Sequence, residues 1–541
     1  MKKINNILKS LILVSTIFCC TGVKENCQSK TKFSEKVIFE NNENKNMDLN
    51  SSIIKETPVN LLVKLNYDDF KKLSFTNEEE RKLYFANAKQ YYSNKNDNII
   101  KNFDLNNINF YSSLYSPFIS IDTTNEELAK DDYHLLKYLD DNSNVEMIYV
   151  SDVQNNVPNL EGAKHYTGVR PYVVNGTYTG EDVVVGLLEP GILDENHGNF
   201  ANSDIIVRNE SYFSETVSEH ATMMGSVITG SRGIAPNCKL LSVELYGDAV
   251  SEMDWLLEHG VNVVNLSYGD TTPTGHYSSK SAYMDYIVNT YRITIVASSG
   301  NTGEDDGYVA NPGLGYNVLT VGACSSSSSY ASTFSSYKEL SGPRKPNILA
   351  PGYSINLVPF SGTQNGTSFS AAVTTGCIAL MMELNSNYKY YPERVISKIM
   401  ASSKDASASY FENGLDDHAG AGSLNFSKLV EEGNSDVIFG FSSSYNIRTS
   451  TVNLNTGDKF KLTAAWLAKS DGVANNTQRT NYDVSIYDSN NNLITSQGTN
   501  IDCVEVIEFE APYTDRYTIE VRKNSVQVND VEYVSVAYYK L

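Results

Sequence analysis

The fold of this chain is decided by residues 183–192, VVVGLLEPGI, where a continuous apolar run ends in a glutamate and a proline. Further apolar runs follow it at residues 240–245, 261–267, 293–298 and 317–322. Helical patterns alternate with these runs, at residues 221–228, 250–259, 279–291, 369–384 and 393–402. Such alternation is typical of a parallel sheet covered by helices on both faces. The sequence therefore predicts an α/β unit, which we place at residues 153–432.

The residues ahead of this unit divide into two segments. Residues 1–27 begin with lysines and continue with an apolar stretch too short to cross a bilayer, which is typical of a signal peptide. Residues 58–152 then follow the order strand, helix, strand, strand, helix, strand, which predicts an α+β unit of the ferredoxin-like kind. Taken alone, the segment 28–152 that contains this unit is either a binding module or a propeptide.

The sequence changes character after Lys428. The stretch EEGNSD at residues 431–436 is typical of a linker, and apolar residues alternate with polar or small ones beyond it. This period of two is clear at residues 460–466 and 482–486, which precede a turn-rich stretch. We therefore predict a separate all-β domain at residues 437–541, a sandwich or jelly roll.

The charge balance excludes some classes of partner. With 43 basic and 64 acidic residues the chain carries a net charge of −21, which disfavours binding to nucleic acid or to an anionic membrane. Beyond the predicted signal peptide, no stretch of sequence is apolar and long enough for a membrane span. Three of the seven cysteines lie in or beside the predicted signal peptide. The other four, Cys238, Cys324, Cys377 and Cys503, form no CxxC pair, so we interpret them as small buried apolar residues.

Polar residues lie at the ends of predicted strands and at the starts of predicted helices. Glu189 and Asn301 end or follow strands, whereas His220 and Ser368 begin helices. The carboxyl ends of parallel strands meet at one edge of a sheet, so these side chains are expected to gather there. A serine becomes a nucleophile when a histidine takes its proton and a carboxylate orients the histidine. The pattern favours nucleophilic catalysis, although a lone serine before a helix is more often a cap.

The sequence around these residues resembles the motifs of the subtilase family of serine proteases. The acid, histidine and serine motifs occur in the family's order, as VVVGLLEPGI (183–192), SEHATMMGS (218–226) and NGTSFSAA (365–372). Lesser matches lie between them, at VNVVNLSYG (261–269), IVASSGN (295–301), NPGLGYNVLTVGA (311–323) and KPNILAPG (345–352). Several motifs in one order are far more specific than any one of them.

The resemblance implies a role for each candidate residue. Ser368 would attack a peptide carbonyl, His220 would accept the proton, and Glu189 would orient the histidine. Asn301 and the amide of Ser368 would bind the oxyanion. An extended polypeptide substrate would pair its backbone with two segments, Ser267-Tyr268-Gly269 and Ser298-Ser299-Gly300.

The resemblance also implies a precursor. Residues 28–152 would be a propeptide that assists folding, inhibits the enzyme and is cut off near Asp152 by the protease itself. The expected product is a secreted or extracellular endopeptidase whose partners are its own propeptide and polypeptide substrates. The C-terminal β-domain resembles those appended to many bacterial subtilases.

The acid position departs from the family pattern. Glu189 stands where the family has aspartate, and its side chain is one methylene longer. A misplacement of about 1 Å can cost about a hundredfold in rate. Asp194 is therefore kept as an alternative acid. An inactive subtilase-fold pseudoprotease, acting as a secreted binding or scaffold protein, is kept as the alternative function.

Metal chemistry is not indicated by the sequence. Asp194 and His197 lie close together, but they are only two potential ligands in an asparagine-rich loop. We predict no catalytic metal and no cofactor for the reaction. Structural calcium is frequent among subtilases, and the resemblance leaves it open for this chain.

Overall fold

The fold is described from a computed structural model, which divides into two compact units, residues 1–152 and 153–541. The described residues are 34, 37–39, 58–67, 78–103, 110–112, 118–124, 134–152, 160–208, 216–245, 249–357, 360, 363–405, 414–431, 436–442, 445–525 and 532–540. The predicted signal peptide and the segment just after Asp152, where the cut is predicted, lie outside the described residues.

The first unit is a five-stranded sheet with helices. Its elements are β1 (Val37–Phe39), β2 (Pro58–Leu65), α1 (Glu78–Ile100), β3 (Phe110–Ser112), β4 (Phe118–Thr124), α2 (residues 134–140) and β5 (Val145–Asp152). The strand order is β1-β5-β2-β4-β3, with β1 parallel to β5 and the other pairs antiparallel. Strands β2 to β5 have the predicted ferredoxin-like arrangement. Strand β1 is an added edge strand that the sequence did not indicate.

The second unit contains the predicted parallel sheet. Its strands are β6 (Val184–Glu189), β7 (Asp204–Val207), β8 (Lys239–Glu244), β9 (Val263–Leu266), β10 (Thr294–Ser298), β11 (Leu319–Ser325), β12 (Ser328–Ala331) and β13 (Ile348–Pro351). The order is β7-β8-β6-β9-β10-β11, with β13 parallel and β12 antiparallel to β11. Strands β9 and β10 are buried along their whole length, which explains their unbroken apolar sequence.

Helices cover both faces of this sheet. They are α3 (Leu160–Thr167), α4 (Arg170–Val174), α5 (Glu219–Ile228), α6 (Val250–Glu258), α7 (Ser279–Tyr291), α8 (Thr367–Leu384), α9 (Pro392–Ala401) and α10 (Phe426–Glu431). Residues of α5 and α8 belong to one apolar cluster, and residues of α6 and α7 to another. A short hairpin, β14 (Ile355–Asn356) and β15 (Thr363–Gln364), precedes α8. The predicted α/β architecture is confirmed.

Helix α8 lies inside the protein. The expectation that no stretch beyond the leader has the length and composition of a membrane span is wrong for α8, which meets both criteria within the described residues. However, 89% of that stretch is buried within the molecule. Its apolar composition therefore reflects a place in the core, where residues on every side of the helix meet protein.

The C-terminal residues form two antiparallel sheets. Their strands are β16 (Asp436–Phe441), β17 (Ile447–Leu454), β18 (Lys459–Trp466), β19 (Asn481–Tyr487), β20 (Leu493–Gly498), β21 (Val504–Glu510), β22 (Asp515–Ser525) and β23 (Glu532–Lys540). The orders are β16-β23-β18-β21 and β17-β22-β19-β20. Apolar residues of both sheets, such as Phe460 and Tyr482, share one core. This is the predicted β-sandwich.

The sandwich and the α/β part belong to the same compact unit. Helix α9 packs on β18 and β23, and Arg394 on α9 forms an ion pair with Asp436 at the start of β16. Ala465 and Val504 of the sandwich lie in the apolar cluster that contains α8. The change in sequence character near residue 432 therefore does not mark a break in packing. The domain limits given above stay predictions.

Replacing Gly376 of α8 with alanine is expected to destabilise the protein, although helix propensity favours alanine by about 1 kcal/mol. A Cβ on Gly376 would lie 2.7 Å from the Cβ of Ile234, so the core would have to shift. We expect the free energy of unfolding to fall by about 1–3 kcal/mol in urea titrations, made in a Ser368→Ala background.

A matched control is Gly225→Ala on α5. There the new Cβ would meet the ends of the flexible Leu193 and Phe200 side chains at 3.0 and 3.2 Å, so the loss should be smaller. A Gly376→Ala protein as stable as its parent would show that α8 and Ile234 are less closely packed than described.

Candidate active site

The candidate residues gather at the carboxyl edge of the parallel sheet. Glu189 is the last residue of β6, and Ser267 directly follows β9. His220 lies in the first turn of α5, whose start is fixed because Ser218 Oγ accepts a hydrogen bond from Ala221 N (3.2 Å). The order of strands in the sheet thus brings together residues that are far apart in the sequence.

The acid and the histidine are in contact. Glu189 is fully buried, and its Oε2 lies 3.2 Å from His220 Nδ1. Oε1 accepts hydrogen bonds from Ser267 N (2.9 Å) and from Asn265 Nδ2 (3.4 Å). No donor other than the imidazole faces Oε2 in the described structure. The longer glutamate side chain therefore reaches the histidine while its other oxygen is held by the segment after β9.

The carboxylate changes the proton affinity of His220. Burial of the ring lowers its pKa, but the hydrogen bond and the negative charge of Glu189 raise it by more. The net effect is a pKa above the ordinary 6.5. A carboxylate on Nδ1 also selects the tautomer whose Nε2 is free to accept a proton.

Ser368 is almost buried and rests against the same segment. Its Oγ donates a hydrogen bond to the carbonyl of Ser267 (3.1 Å), and the hydroxyl of Ser267 donates to the carbonyl of Ser368 (3.0 Å). Within the described residues no hydrogen bond joins Ser368 to His220. A serine hydroxyl changes partner by rotation about its Cα–Cβ bond, and catalytic contacts often form only when substrate binds.

Two hydrogen-bond donors lie close to one point beside Ser368. Asn301 Oδ1 accepts from the backbone N (2.9 Å) and the hydroxyl (3.1 Å) of Thr367, which fixes which end of the amide is nitrogen. The position that a Cβ on Gly366 would occupy lies 3.7 Å from Asn301 Nδ2 and 3.8 Å from Ser368 N. These two N–H groups can bind an oxyanion that forms between them.

The two predicted substrate segments differ in their free backbone groups. Across the described residues, the backbone N–H and C=O groups of Tyr268 and Gly269 have no protein partner. By contrast, Ser299 N–H donates to a carbonyl of β11 (3.0 Å), and the Gly300 carbonyl accepts from Ser336 N (3.0 Å). These backbone groups of Ser299 and Gly300 already have partners in the protein, so they are not free to form the strand pairing with a substrate that was predicted for residues 298–300.

Residues that the sequence analysis did not single out hold the site together. Asn265 lies in the middle of β9, fully buried, and bonds Glu189 and the hydroxyl of Ser267 (2.7 Å) while accepting from Thr375 of α8 (3.0 Å). Thr367 joins Asn301 to Gly300, whose N–H donates to the threonine hydroxyl (3.1 Å). The sequence held one signal for Asn265, which is an asparagine inside the apolar run VNVVNL.

Asp194 and His197 are occupied elsewhere. Asp194 Oδ1 accepts from Asn196 N (3.0 Å) in its own loop, and the described contacts of Asp194 do not include His220. The ring of His197 stacks on Phe360 at 4.7 Å and caps the following turn. No group of three histidine, cysteine or acidic side chains suited to a metal occurs in the residues that were described. The geometry supports Glu189 as the partner of His220.

The raised pKa of His220 gives a direct test of its partner. Replacing Glu189 with glutamine removes the charge that outweighs burial, so the pKa of His220 should fall to or below 6.5. The measurement is a pH titration of labelled histidine by NMR in a Ser368→Ala background. Asp194→Asn is the matched control and should leave the pKa unchanged; the opposite pattern would identify Asp194 as the partner.

Comparison with known proteins assigns the family. A model described as the subtilase family matches residues 44–422. Subtilisin DY of Bacillus licheniformis is 28% identical over 224 residues, covering 38% of this chain and 78% of that protein. Serine protease AprX of Bacillus subtilis (strain 168) is 24% identical over 328 residues, covering 51% of this chain and 73% of that protein.

The solved structures that resemble this one include that of the prenylagaramide maturation protease PagA. It is 26% identical, with a TM-score of 0.41, and the match covers 49% of this chain and 98% of that one. The family model alone spans more than half of the sequence and includes every residue of the site described above. The chain belongs to the subtilase family.

Proposed function

We propose that this protein is a serine endopeptidase that cleaves extended polypeptides through an acyl-enzyme. The observation that carries the proposal is the contact between buried Glu189 and His220 at 3.2 Å, beside a helix start that bears Ser368. Together with two converging N–H donors, this is the set of groups that acyl transfer requires.

The proposed reaction has two halves, formation of the acyl-enzyme and its hydrolysis, and His220 transfers protons in both. Ser368 Oγ attacks the peptide carbonyl carbon and passes its proton to His220 Nε2, while Glu189 stabilises the imidazolium. The carbonyl oxygen, now negative, accepts hydrogen bonds from Asn301 Nδ2 and Ser368 N. The C–N bond breaks as His220 protonates the leaving amine. Water then repeats the sequence on the acyl-enzyme and frees the serine.

An extended substrate fits the free backbone next to the nucleophile. The N–H and C=O groups of Tyr268 and Gly269, which pair with no residue that the structure describes, lie in the short segment that directly follows Ser267. A substrate that adds a strand there is bound through its main chain, which suits cleavage within a polypeptide. Position 269 has no room for a side chain, since a Cβ on Gly269 would lie 2.6 Å from the Ala310 Cβ.

The proposal includes a secreted precursor. A leader at residues 1–27 would direct export, and residues 28–152 would act as a propeptide removed by self-cleavage near Asp152. The compact first unit, with its own buried core at Leu61, Val63, Ile119 and Ile121, supports a propeptide that folds by itself. No cofactor is proposed for the reaction.

Self-cleavage is tested by the Ser368→Ala variant. The wild-type precursor should be cut near Asp152, and the variant should stay intact, because the attacking oxygen is missing. Mass spectrometry of the purified proteins locates the cut, and a fluorophosphonate probe should label the wild type only. A wild type that is neither processed nor labelled would favour the pseudoprotease alternative.

The pH dependence of kcat/KM tests the proposed role of the Glu189–His220 pair. His220 must be neutral to accept the proton and its pKa is raised, so kcat/KM should fall on the acid side with a midpoint above pH 6.5. Glu189→Gln should lower kcat by about 10³-fold or more and move this midpoint to lower pH. Asp194→Asn should change both kcat and this midpoint only slightly. A large loss of kcat in Asp194→Asn but not in Glu189→Gln would overturn the assignment of Glu189 as the acid.

A further inference from the structure

A buried asparagine holds the end of the proposed substrate segment. Asn311 is only 2% exposed, and its side-chain Oδ1 accepts a hydrogen bond from the Ser281 hydroxyl (2.6 Å). Its Nδ2 donates to Asp270 Oδ2 (3.2 Å) and to the carbonyl of His276 (3.0 Å). The backbone carbonyl of Asn311 also accepts from Asp270 N (3.1 Å). Asp270 is therefore bound to one buried residue through both its main chain and its side chain.

Asp270 has a second anchor on α7. Its Oδ1 lies 2.7 Å from Lys280 Nζ, so the two carboxylate oxygens have different partners. Lys280 and Ser281 both lie in the first turn of α7. The Lys280 side chain is 47% exposed, and an exposed ion pair contributes little. The buried amide of Asn311 is thus the main anchor of the Asp270 side chain.

The segment from Ser267 to Asp270 is held at both of its ends. At the first end, Ser267 exchanges hydrogen bonds with residues of the candidate site, and at the second end Asn311 holds Asp270. Between these ends, the backbone N–H and C=O groups of Tyr268 and Gly269 have no partner among the described residues. Backbone groups that pair with a substrate must be unpaired beforehand, and they bind best when they are already fixed in place.

We propose that Asn311 is a positioning residue, which through Asp270 fixes the Tyr268-Gly269 segment in the conformation that pairs with a substrate backbone. The inference rests on the proposed function, since it takes this segment as the place where the substrate binds. The role concerns substrate binding and not bond cleavage, because other residues hold the proposed nucleophile, base and oxyanion donors.

The test separates binding from chemistry in the Asn311→Ala protein. The substrate is a fluorescent peptide that copies residues 145–160 of this chain, which span the proposed self-cleavage site. KM should rise about tenfold or more, because the substrate must now order the segment, while kcat stays within about twofold of wild type. The rate of fluorophosphonate labelling should change by less than about twofold, since this probe reacts with Ser368 without an extended chain. A fall in kcat and in labelling with an unchanged KM would overturn the proposal.

The Asp270→Ala variant tests whether Asn311 acts through Asp270. The Asp270 side chain is 25% exposed, so its removal leaves no buried cavity. This variant should raise KM by a similar factor, and the double variant should raise KM no further than the larger single effect. Effects on KM that multiply in the double variant would contradict the coupling. If Asn311→Ala fails to fold, an unchanged KM in Asp270→Ala would overturn the proposal by itself.

The matched control is Asn317→Ala. Asn317 belongs to the same stretch between β10 and β11 and is 1% exposed, but its side chain exchanges hydrogen bonds with the backbone of Ala468 in the sandwich. Its loss should lower the melting temperature and leave KM unchanged. If Asn317→Ala raises KM as much as Asn311→Ala does, the effect reflects a general loss of packing, and Asn311 has no positioning role.

Peptide binding separates this inference from the proposed function. A wild type that is neither labelled nor able to cleave the peptide leaves it intact, so fluorescence anisotropy can then measure its Kd. A Kd that rises in both Asn311→Ala and Asp270→Ala would contradict only the endopeptidase. An active wild type whose KM is unchanged in both variants contradicts only the positioning role. An inactive wild type that does not bind the peptide contradicts both.

Discussion

The contact between Glu189 and His220 depends on how the buried carboxylate is held. Burying a charge is unfavourable unless hydrogen bonds and a counter-charge replace the lost water. Ser267 N and Asn265 Nδ2 bind one oxygen, and the imidazole faces the other at 3.2 Å. Two hydrogen bonds from β9 and the residue after it fix the first oxygen, and the second faces His220 of α5. The longer side chain of Glu189 is thus held at both oxygens by neighbouring residues.

The same segment also holds the start of α8, where Ser368 lies. Ser267 and Ser368 exchange hydrogen bonds between hydroxyl and carbonyl in both directions, and Thr375 of α8 bonds to Asn265 of β9. At the other side of the helix start, Thr367 bonds to Asn301. The helix is therefore fixed to two neighbouring strand ends, which sets the positions of Ser368, the proposed nucleophile, and of Asn301 Nδ2 and Ser368 N, the proposed oxyanion donors, together. A change at Asn265 would disturb the acid and the helix at once.

The sandwich contributes to the same compact unit through buried contacts. Lys461 of β18, fully buried, forms an ion pair with Glu508 at 2.7 Å and also donates to the carbonyl of Ala421 in the α/β part. Asn317 exchanges hydrogen bonds with the backbone of Ala468. These contacts satisfy polar groups that would otherwise be buried without partners at the junction. The alternating pattern of the C-terminal sequence predicted the strands, but it carried no sign of this junction.

Local sequence by itself determined the strands, the helices and the short motifs, because apolar periodicity and turn residues act over a few neighbours. It also placed Glu189, His220, Asn301 and Ser368 at element ends. Only the tertiary structure decided that Glu189, and not Asp194, contacts the histidine, and that Ser299 and Gly300 are already paired. Edge strand β1 and the burial of Asn265 were likewise decided there. These features depend on contacts between residues that are far apart in the chain. A local sequence pattern carries no information about the distances between such residues.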